Sequence, residues 1–366
     1  MSFAEFIKDA DTYLSKEDAF KIQNATEFKK KYELMKRLGN GAYAEVYLCK
    51  EKATGELYAA KLIDRSHVSS PKYLWSEIHI LYNLDHPQII RLKDAFASKE
   101  HVMLILEYAR GGELLEYVYN HDEYDEQEAM KIIHDLLCAI DYLHSKRVVH
   151  RDIKPENILF IDEKATNMKL TDFGLSGIMK ENSLLSTCAG TPGFMAPEII
   201  KSKGYGAECD LWSIGVLAYF LLSGTLPFTS KVPFKLYQSI CEGEYEYGEE
   251  FDVISDEAKD FINQCIVVDP KERLTAKSAL EHPWITNTGE VKTRSLTPVK
   301  KEKVPLPGVR KKVIDYLEQR RSLKIYKTSN MAISFVTKLK MQVKLAKKES
   351  ELKKEENQTE ISEQEK

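Results

Sequence analysis

Residues 150–160 read HRDIKPENILF, which sets Asp152, Lys154 and Asn157 in one short polar turn before the chain returns to the apolar run Ile158-Leu159-Phe160. A carboxylate, an ammonium and an amide this close together are either an ordinary surface loop or parts of one reaction centre. A second stretch, MKLTDFGLS, places Asp172 just after a short apolar run, with Phe173 to pack and Gly174 to turn. Asp172 and Asn157 together offer two hard oxygen ligands, the kind Mg²⁺ takes while bridging phosphates. Asp152 is then placed to orient a hydroxyl nucleophile, and Lys154 to neutralise charge growing on a transferred phosphoryl group. Phosphoryl transfer asks little covalent help of a protein and much positioning and electrostatics.

Upstream, LGNGAYAEV (Leu38 to Val46) lies between two strand signals, and Gly39 and Gly41 let backbone N–H groups approach phosphate oxygens. Lys61 follows in YAAKL on the next strand, and Glu77 stands on a helix beside its apolar stripe. A half-buried carboxylate needs a partner, and Lys61 is the candidate. Each piece also has a plain alternative. A glycine pair is often a hairpin turn, and a lysine among apolar residues often snorkels at an edge. The ordered combination is what argues for chemistry.

The elements that must hold these residues fall into two groups. From Tyr32 to about Leu106 strand signals dominate: YELMKRLG, EVYLCKEK and LYAAKLID, separated by the turn-prone GNGA and ATGE, then the short buried run HVMLILEYA. One helix interrupts them, with Ser70-Pro71 as cap and first turn and Leu74, Ile78 and Leu81 at helical spacing. From Arg110 to Ile285 the signals are mostly helical. Ile132, Ile133, Leu136, Leu137, Ile140 and Leu143 form one stripe, and DLWSIGVLAYFLLSG is apolar all round, which places it in the middle of a large globule. A β-rich lobe followed by a helical lobe predicts a nucleotide in the cleft between them.

With 366 residues and 43% apolar content the chain can bury a sizeable core. Its net charge of -4 is split unevenly, about -13 over residues 1–285 and about +9 over 286–366, which predicts a tail with its own partner. Six scattered cysteines without a CxxC pair argue against a disulfide framework and a zinc site, and for a reducing compartment. The N-terminus has no apolar signal core and no Gly at position 2, and no apolar run is long enough to span a bilayer.

From Tyr32 to Ile285 the chain resembles the eukaryotic protein-kinase domain. The residues that carry the resemblance are GNGAYAEV, AAK at Lys61, Glu77, HRDIKPEN, DFG at Asp172, APE (Ala196 to Glu198), DLWSIG and Arg273 in DPKERLTA. One departure is Ala44, where the third glycine of the loop is usual; its methyl stiffens the loop without removing a donor. The resemblance implies an α+β, bilobal fold, with a small β-rich lobe over 32–109 and a large helical lobe over 110–285; outside it, composition and charge read as a leader over 1–31, a linker over 286–308, a basic helical tail over 309–348 and a disordered charged end over 349–366. It implies ATP and Mg²⁺. Leu38, Gly39, Asn40, Gly41, Ala44 and Val46 would cover the phosphates, Ala59 would line the nucleotide pocket, and Lys61 would hold the α- and β-phosphates, fixed by Glu77. Glu107 and Ala109 would offer backbone to adenine, with Leu106 gating the deeper pocket. Asp152 would accept or orient the substrate proton, with Lys154 beside it, and Asn157 and Asp172 would bind magnesium. Glu198 with Arg273 would be a brace, as would Asp210, whose plain alternative is a helix N-cap.

DIKPEN and GTPGF resemble serine/threonine kinases. Glu113, counted among the ATP-site positions, also matches the residue that in many basophilic relatives meets an arginine three before the acceptor, which implies an R-x-x-S/T preference. Phe220 stands where some relatives carry a second acid. Thr187 matches the usual activation-loop phosphosite, with Arg151 as partner for its phosphate and an upstream kinase implied; the plain alternative is a solvated loop residue. RGGELLEYV, STCAGTPGFMAPE and EHPWI resemble the calcium/calmodulin-dependent group and the calcium-dependent kinases, but no EF-hand loop follows. In the tail, Met331, Phe335, Leu339 and Val343 share a stripe among lysines. Such helices suit calmodulin, at residues 325–348, or an anionic membrane face, or docking back on the acidic domain as an autoinhibitor, or plain packing on the large lobe. Nucleic acid is not an expected partner, and a cytoplasmic setting with access to the nucleus is expected. The rival function, from another class, is a nucleotide-binding signalling scaffold with little transfer activity. All five of Lys61, Glu77, Asp152, Asn157 and Asp172 are present, which favours the enzyme.

Overall fold

The computed structural model describes residues 22–40, 44–67, 71–121, 124–162, 167–179, 184–185, 190–202, 204–286 and 305–327. The chain divides into two units, Met1–Tyr316 and Leu317–Lys366. All elements below belong to the first, except the end of the last helix.

The small lobe opens with strand β1 (Gln23–Asn24) and helix α1 (Ala25–Lys31), inside the stretch expected to be a leader. The Asn24 side chain accepts from the Thr26 amide, and Lys29 to Lys31 close the last turn, where cations suit the helix dipole. Phe28 anchors the helix: it is buried, with ring centroids 5.6 Å from both Tyr32 and Phe96. Within that stretch the described residues hold one buried anchor followed by a cationic helix end. Strands β2 (Tyr32–Asn40), β3 (Ala44–Glu51) and β4 (Leu57–Asp64), helix α2 (Pro71–Asn83), and strands β5 (Leu92–Ala97) and β6 (His101–Glu107) complete the lobe. The sheet order is β1-β5-β6-β4-β3-β2, antiparallel except that β1 runs parallel to β5. Trp75 and Ile78 of α2 are fully buried, so its apolar stripe brings Glu77 inward with it.

The large lobe begins with strand β7 (Gly112–Glu113), helix α3 (Leu114–Asn120) and helix α4 (Glu126–Ser145), which starts on the Asp125 side chain and buries the predicted stripe. Strands β8 (Ile158–Phe160) and β9 (Met168–Leu170) form an antiparallel hairpin, with β7 on its other side. Helix α5 (Glu208–Ser223) is buried on every face from Cys209 to Ser223. Its Gly215 is dictated by packing, because a Cβ there would sit 2.6 Å from Cys265 Cβ on helix α6 (Asp256–Cys265). Cys49, Cys138, Cys209, Cys241 and Cys265 are free thiols. No helix among the described residues is long and apolar enough to cross a membrane.

Helix α7 spans Pro307–Lys327, so helix begins inside the stretch read as linker. Its first turns dock on the large lobe. Val309 and Val313 are buried, Tyr316 lies 4.9 Å from the Phe220 ring, and Lys312 pairs with Glu250 at 3.1 Å. Gly224, in the left-handed region at φ 74°, ends helix α5 and admits this approach: a Cβ there would lie 2.8 Å from the Val309 carbonyl oxygen.

Candidate active site

The register of the small-lobe sheet sorts its side chains. Val46 faces Lys61 across β3 and β4, while Ala59 faces Leu48 on one side and Leu106 on the other. Val46, Ala59, Lys61 and Leu106 therefore share one sheet face. From that face the Lys61 ammonium bridges two carboxylates, Glu77 Oε1 at 2.7 Å and Asp172 Oδ1 at 3.1 Å. Burial alone would favour neutral lysine, but the charges of Glu77 and then Asp172 outweigh it and raise the Lys61 pKa. The Lys61 charge in turn holds the Asp172 carboxyl down to about 2 from an ordinary 3.8, against the opposing effect of burial.

Because the folded-state value is depressed, the Asp172 contribution to stability is full above its ordinary value and disappears as pH falls through about 2. A carboxyl-carbon titration followed by NMR is expected to find Asp172 still ionised at about pH 3. A midpoint near its ordinary 3.8 would mean that the bridge is not formed.

Asp172 and Arg151 both adopt positive φ, 64° and 69°, a conformation few non-glycine residues take and one that marks both turns. Phe173 turns inward, fully buried, its ring centroid 5.1 Å from that of His150 in an edge-to-face contact. Gly174 follows where a Cβ would touch Asp172 Oδ1 and Glu77 Oε2, each at 3.4 Å.

The turn that holds Asp152 is fixed from below. Asp210, fully buried, accepts from the His150 amide at 2.9 Å and the Arg151 amide at 2.8 Å, and meets His144 Nε2 at 2.9 Å. The N-cap of its helix is Ala207, so Asp210 staples the neighbouring turn instead of capping its own helix. Burial pushes its carboxyl up, but the His144 hydrogen bond and the surrounding donors prevail and lower it. Above this brace Asp152 Oδ1 accepts from the Thr191 hydroxyl at 2.7 Å, and Lys154 bonds both Asp152 Oδ2 and, at 2.9 Å, Thr191 Oγ1. Asn157 Nδ2 donates to the Asp152 carbonyl at 2.7 Å and to Oδ2 at 3.2 Å. Asp152, Lys154, Asn157 and Thr191 thus form one network.

The remaining predicted residues take the following places. Gly39 pairs with Val46 and Asn40 with Glu45, Leu38 is exposed, and open space surrounds Gly39 where a side chain would be. Ala44 opens β3. Gly41 and Thr187 lie outside the described residues. Glu107 ends β6, and Ala109 follows in the connection between the lobes. Glu113 is exposed at the start of α3. Arg151, buried, donates to Tyr205 Oη at 3.1 Å and to the Ser176 carbonyl at 2.9 Å. Glu198 receives the Arg273 fork at 2.8 and 3.1 Å. Phe220 is fully buried, its ring centroid 4.9 Å from that of Tyr316.

Two contacts went unread in the sequence. Lys169, buried on β9, pairs with the Glu107 carboxylate at 2.9 Å and so ties the end of β6 to the strand leading into Asp172. Its signal was present, a lysine between Met168 and Leu170 in a strand with no polar face. The second is Tyr205 on Arg151, which nothing local announces.

Fold and site together define a protein kinase. A model of the protein kinase domain matches residues 32–285, and the chain belongs to that family. It is 40% identical over 272 residues to myosin light chain kinase A of Dictyostelium discoideum, covering 73% of this chain and 92% of that protein. It is 40% identical over 265 residues to calcium/calmodulin-dependent protein kinase type 1 of Caenorhabditis briggsae, covering 71% and 74%. The type 1 enzyme of Macrobrachium nipponense is 41% identical over 260 residues, covering 70% and 75%. Within the family, the chain is a serine/threonine kinase of the calcium/calmodulin-dependent group.

Proposed function

We propose that this kinase transfers the γ-phosphoryl of Mg·ATP to serine or threonine in proteins with an arginine three residues before the acceptor, under control of its C-terminal tail. The observation that carries the reading is the Asp152 network: its carboxylate already accepts from a threonine hydroxyl, Thr191 Oγ1 at 2.7 Å, which is the hydrogen bond a substrate hydroxyl requires. Asp152 orients that hydroxyl and takes its proton. Lys154, within reach of Asp152 and Thr191, offsets charge on the phosphoryl as it moves. Lys61, positioned by Glu77, holds the α- and β-phosphates, beneath a glycine loop running from Leu38 to Val46.

The donor set fits magnesium. Asn157 spends its N–H on Asp152, and its amide oxygen would be the hard donor to the ion. Asp172 gives Oδ1 to Lys61 and offers its second oxygen. When bound there, the ion neutralises phosphate charge.

Glu113 supplies a carboxylate at the rim for the arginine, and Thr187, once phosphorylated by an upstream kinase, finds a cation in Arg151. Two relatives are named for dependence on calcium and calmodulin. Their likeness, with the basic stripe of residues 325–348, supports a calmodulin-released autoinhibitory tail working in the cytoplasm. Of that stretch only the helical backbone through Lys327 is among the described residues.

The test measures phosphate transfer to an R-x-x-S peptide and to its A-x-x-S counterpart, by the full chain and by a chain ending at Tyr316, with and without Ca²⁺/calmodulin. The arginine peptide is expected to be preferred by about tenfold, the scale of one charge-assisted contact. The full chain is expected to be silent until calmodulin is added, and the shortened chain active throughout. Equal activity under all conditions would remove the tail from regulation, and equal peptides would remove Glu113 from recognition.

A further inference from the structure

The buried Arg151 guanidinium joins segments that lie far apart in the chain. One terminal nitrogen donates to the Tyr205 hydroxyl at 3.1 Å, and the other to the Ser176 carbonyl at 2.9 Å. Among the described residues its Nε has no acceptor. The grip on this cation therefore rests on two bonds, and losing a charge-assisted bond in a buried place is costly. The packing around it is close. A Cβ at Gly177 would lie 3.1 Å from the Arg151 Cζ, and one at Gly190 would lie 2.9 Å from the Arg151 carbonyl oxygen.

Arg151 needs this grip because it stands at φ 69°. A non-glycine residue held there stores strain and persists only where its surroundings fix it from several sides. Asp210 fixes its amide, while Tyr205 and Ser176 fix its side chain. Asp152 is the next residue, so its place follows from the same turn. Tyr205 is itself buried, and its backbone exchanges two hydrogen bonds with Leu185, each of 2.9 Å. A path of direct contacts thus runs from Leu185 through Tyr205 and Arg151 to Asp152.

We propose that Tyr205 is a positioning residue for phosphoryl transfer: its hydroxyl holds Arg151, and with it the turn that carries Asp152. The inference rests on the reading of Asp152 as the proton acceptor. A neutral hydroxyl on the guanidinium holds the turn without a phosphate, so the dephosphorylated chain keeps a measurable rate.

The test is steady-state transfer to a serine peptide by the dephosphorylated full chain with Ca²⁺/calmodulin. Wild type is compared with Tyr205→Phe, Arg151→Gln and the double variant, with Asp152→Asn as the blank. Tyr205→Phe keeps the ring and removes one oxygen. It is expected to lower kcat by about tenfold, the scale of one charge-assisted bond, with KM for Mg·ATP within about twofold of wild type. A role in packing alone would not split the two constants in this way. Because both substitutions cut the same link, the double variant is expected to be no slower than Arg151→Gln alone. Losses that multiply would show that Tyr205 acts apart from Arg151 and would overturn the proposal. So would a Tyr205→Phe kcat within about twofold of wild type, or a dephosphorylated wild type no faster than the blank. The blank separates this inference from the reading beneath it. Transfer by Asp152→Asn at the wild-type rate would sink both, whereas its loss there with Tyr205→Phe unaffected would sink the role of Tyr205 alone.

Discussion

Replacing Asp152 with Asn is expected to lower kcat by about 10³-fold while leaving nucleotide affinity nearly unchanged. The change is isosteric, so the turn stapled by Asp210 has no reason to move. The charge pattern, however, inverts locally. Asp152 Oδ2 now accepts from Lys154 and from Asn157 Nδ2. An amide NH₂ in that place would face two donors, and the alternative flip would point it at the Thr191 hydroxyl in place of Oδ1. Either way the carboxylate proposed to take the proton is gone. The check is steady-state transfer to a serine peptide at saturating ATP, alongside a direct nucleotide-binding titration. A loss below about tenfold would show that Asp152 does not carry the proton, and a cellular role untouched by the substitution would favour the scaffold.

Arg273→Met is expected to have the largest effect on stability, about 3–5 kcal/mol. The Arg273 side chain is fully buried and that of Glu198 nearly so, at 0% and 8% exposure. The guanidinium gives two parallel bonds to Glu198 and others to the Glu208 and Val267 carbonyls. Truncating it strands a buried carboxylate, whose desolvation is then uncompensated. Thermal unfolding should fall by on the order of 10 °C for a lobe of this size. Adding Glu198→Leu should restore much of the loss, since the penalty lies in the unpaired charge. A shift under about 2 °C for the single variant would mean that the pair is worth no more than a surface bridge.

What the sequence made legible follows the range of each signal. Alternation over YELMKRLG and LYAAKLID, the proline-capped start of α2 and the apolar run of α5 are local, and each became the element it predicts. The site residues were readable one by one because their types are unusual where they stand, such as Glu77 beside an apolar stripe. Helix α1 was not readable. Its burial rests on the single Phe28, whose partners Tyr32 and Phe96 lie on different strands. Strand β5, in LKDAFA, mixes charge with small residues and declares itself only through its pairing with β6. The docking of Val309 and Val313 depends on Gly224, some eighty residues earlier, as close approach between distant segments leaves no periodic trace.

Lys61 stands on a strand, Glu77 on a helix of the same lobe, and Asp172 in the segment after β9 of the other lobe. One nitrogen serving two carboxylates works as a logical conjunction: it is fully satisfied only when all three elements are in register. A swing of the helix or a turn of the segment leaves one buried or half-exposed acid without its cation. Assembly of the whole cleft is thereby compressed into the surroundings of a single atom, and a spectroscopic label on that nitrogen would read it as one number.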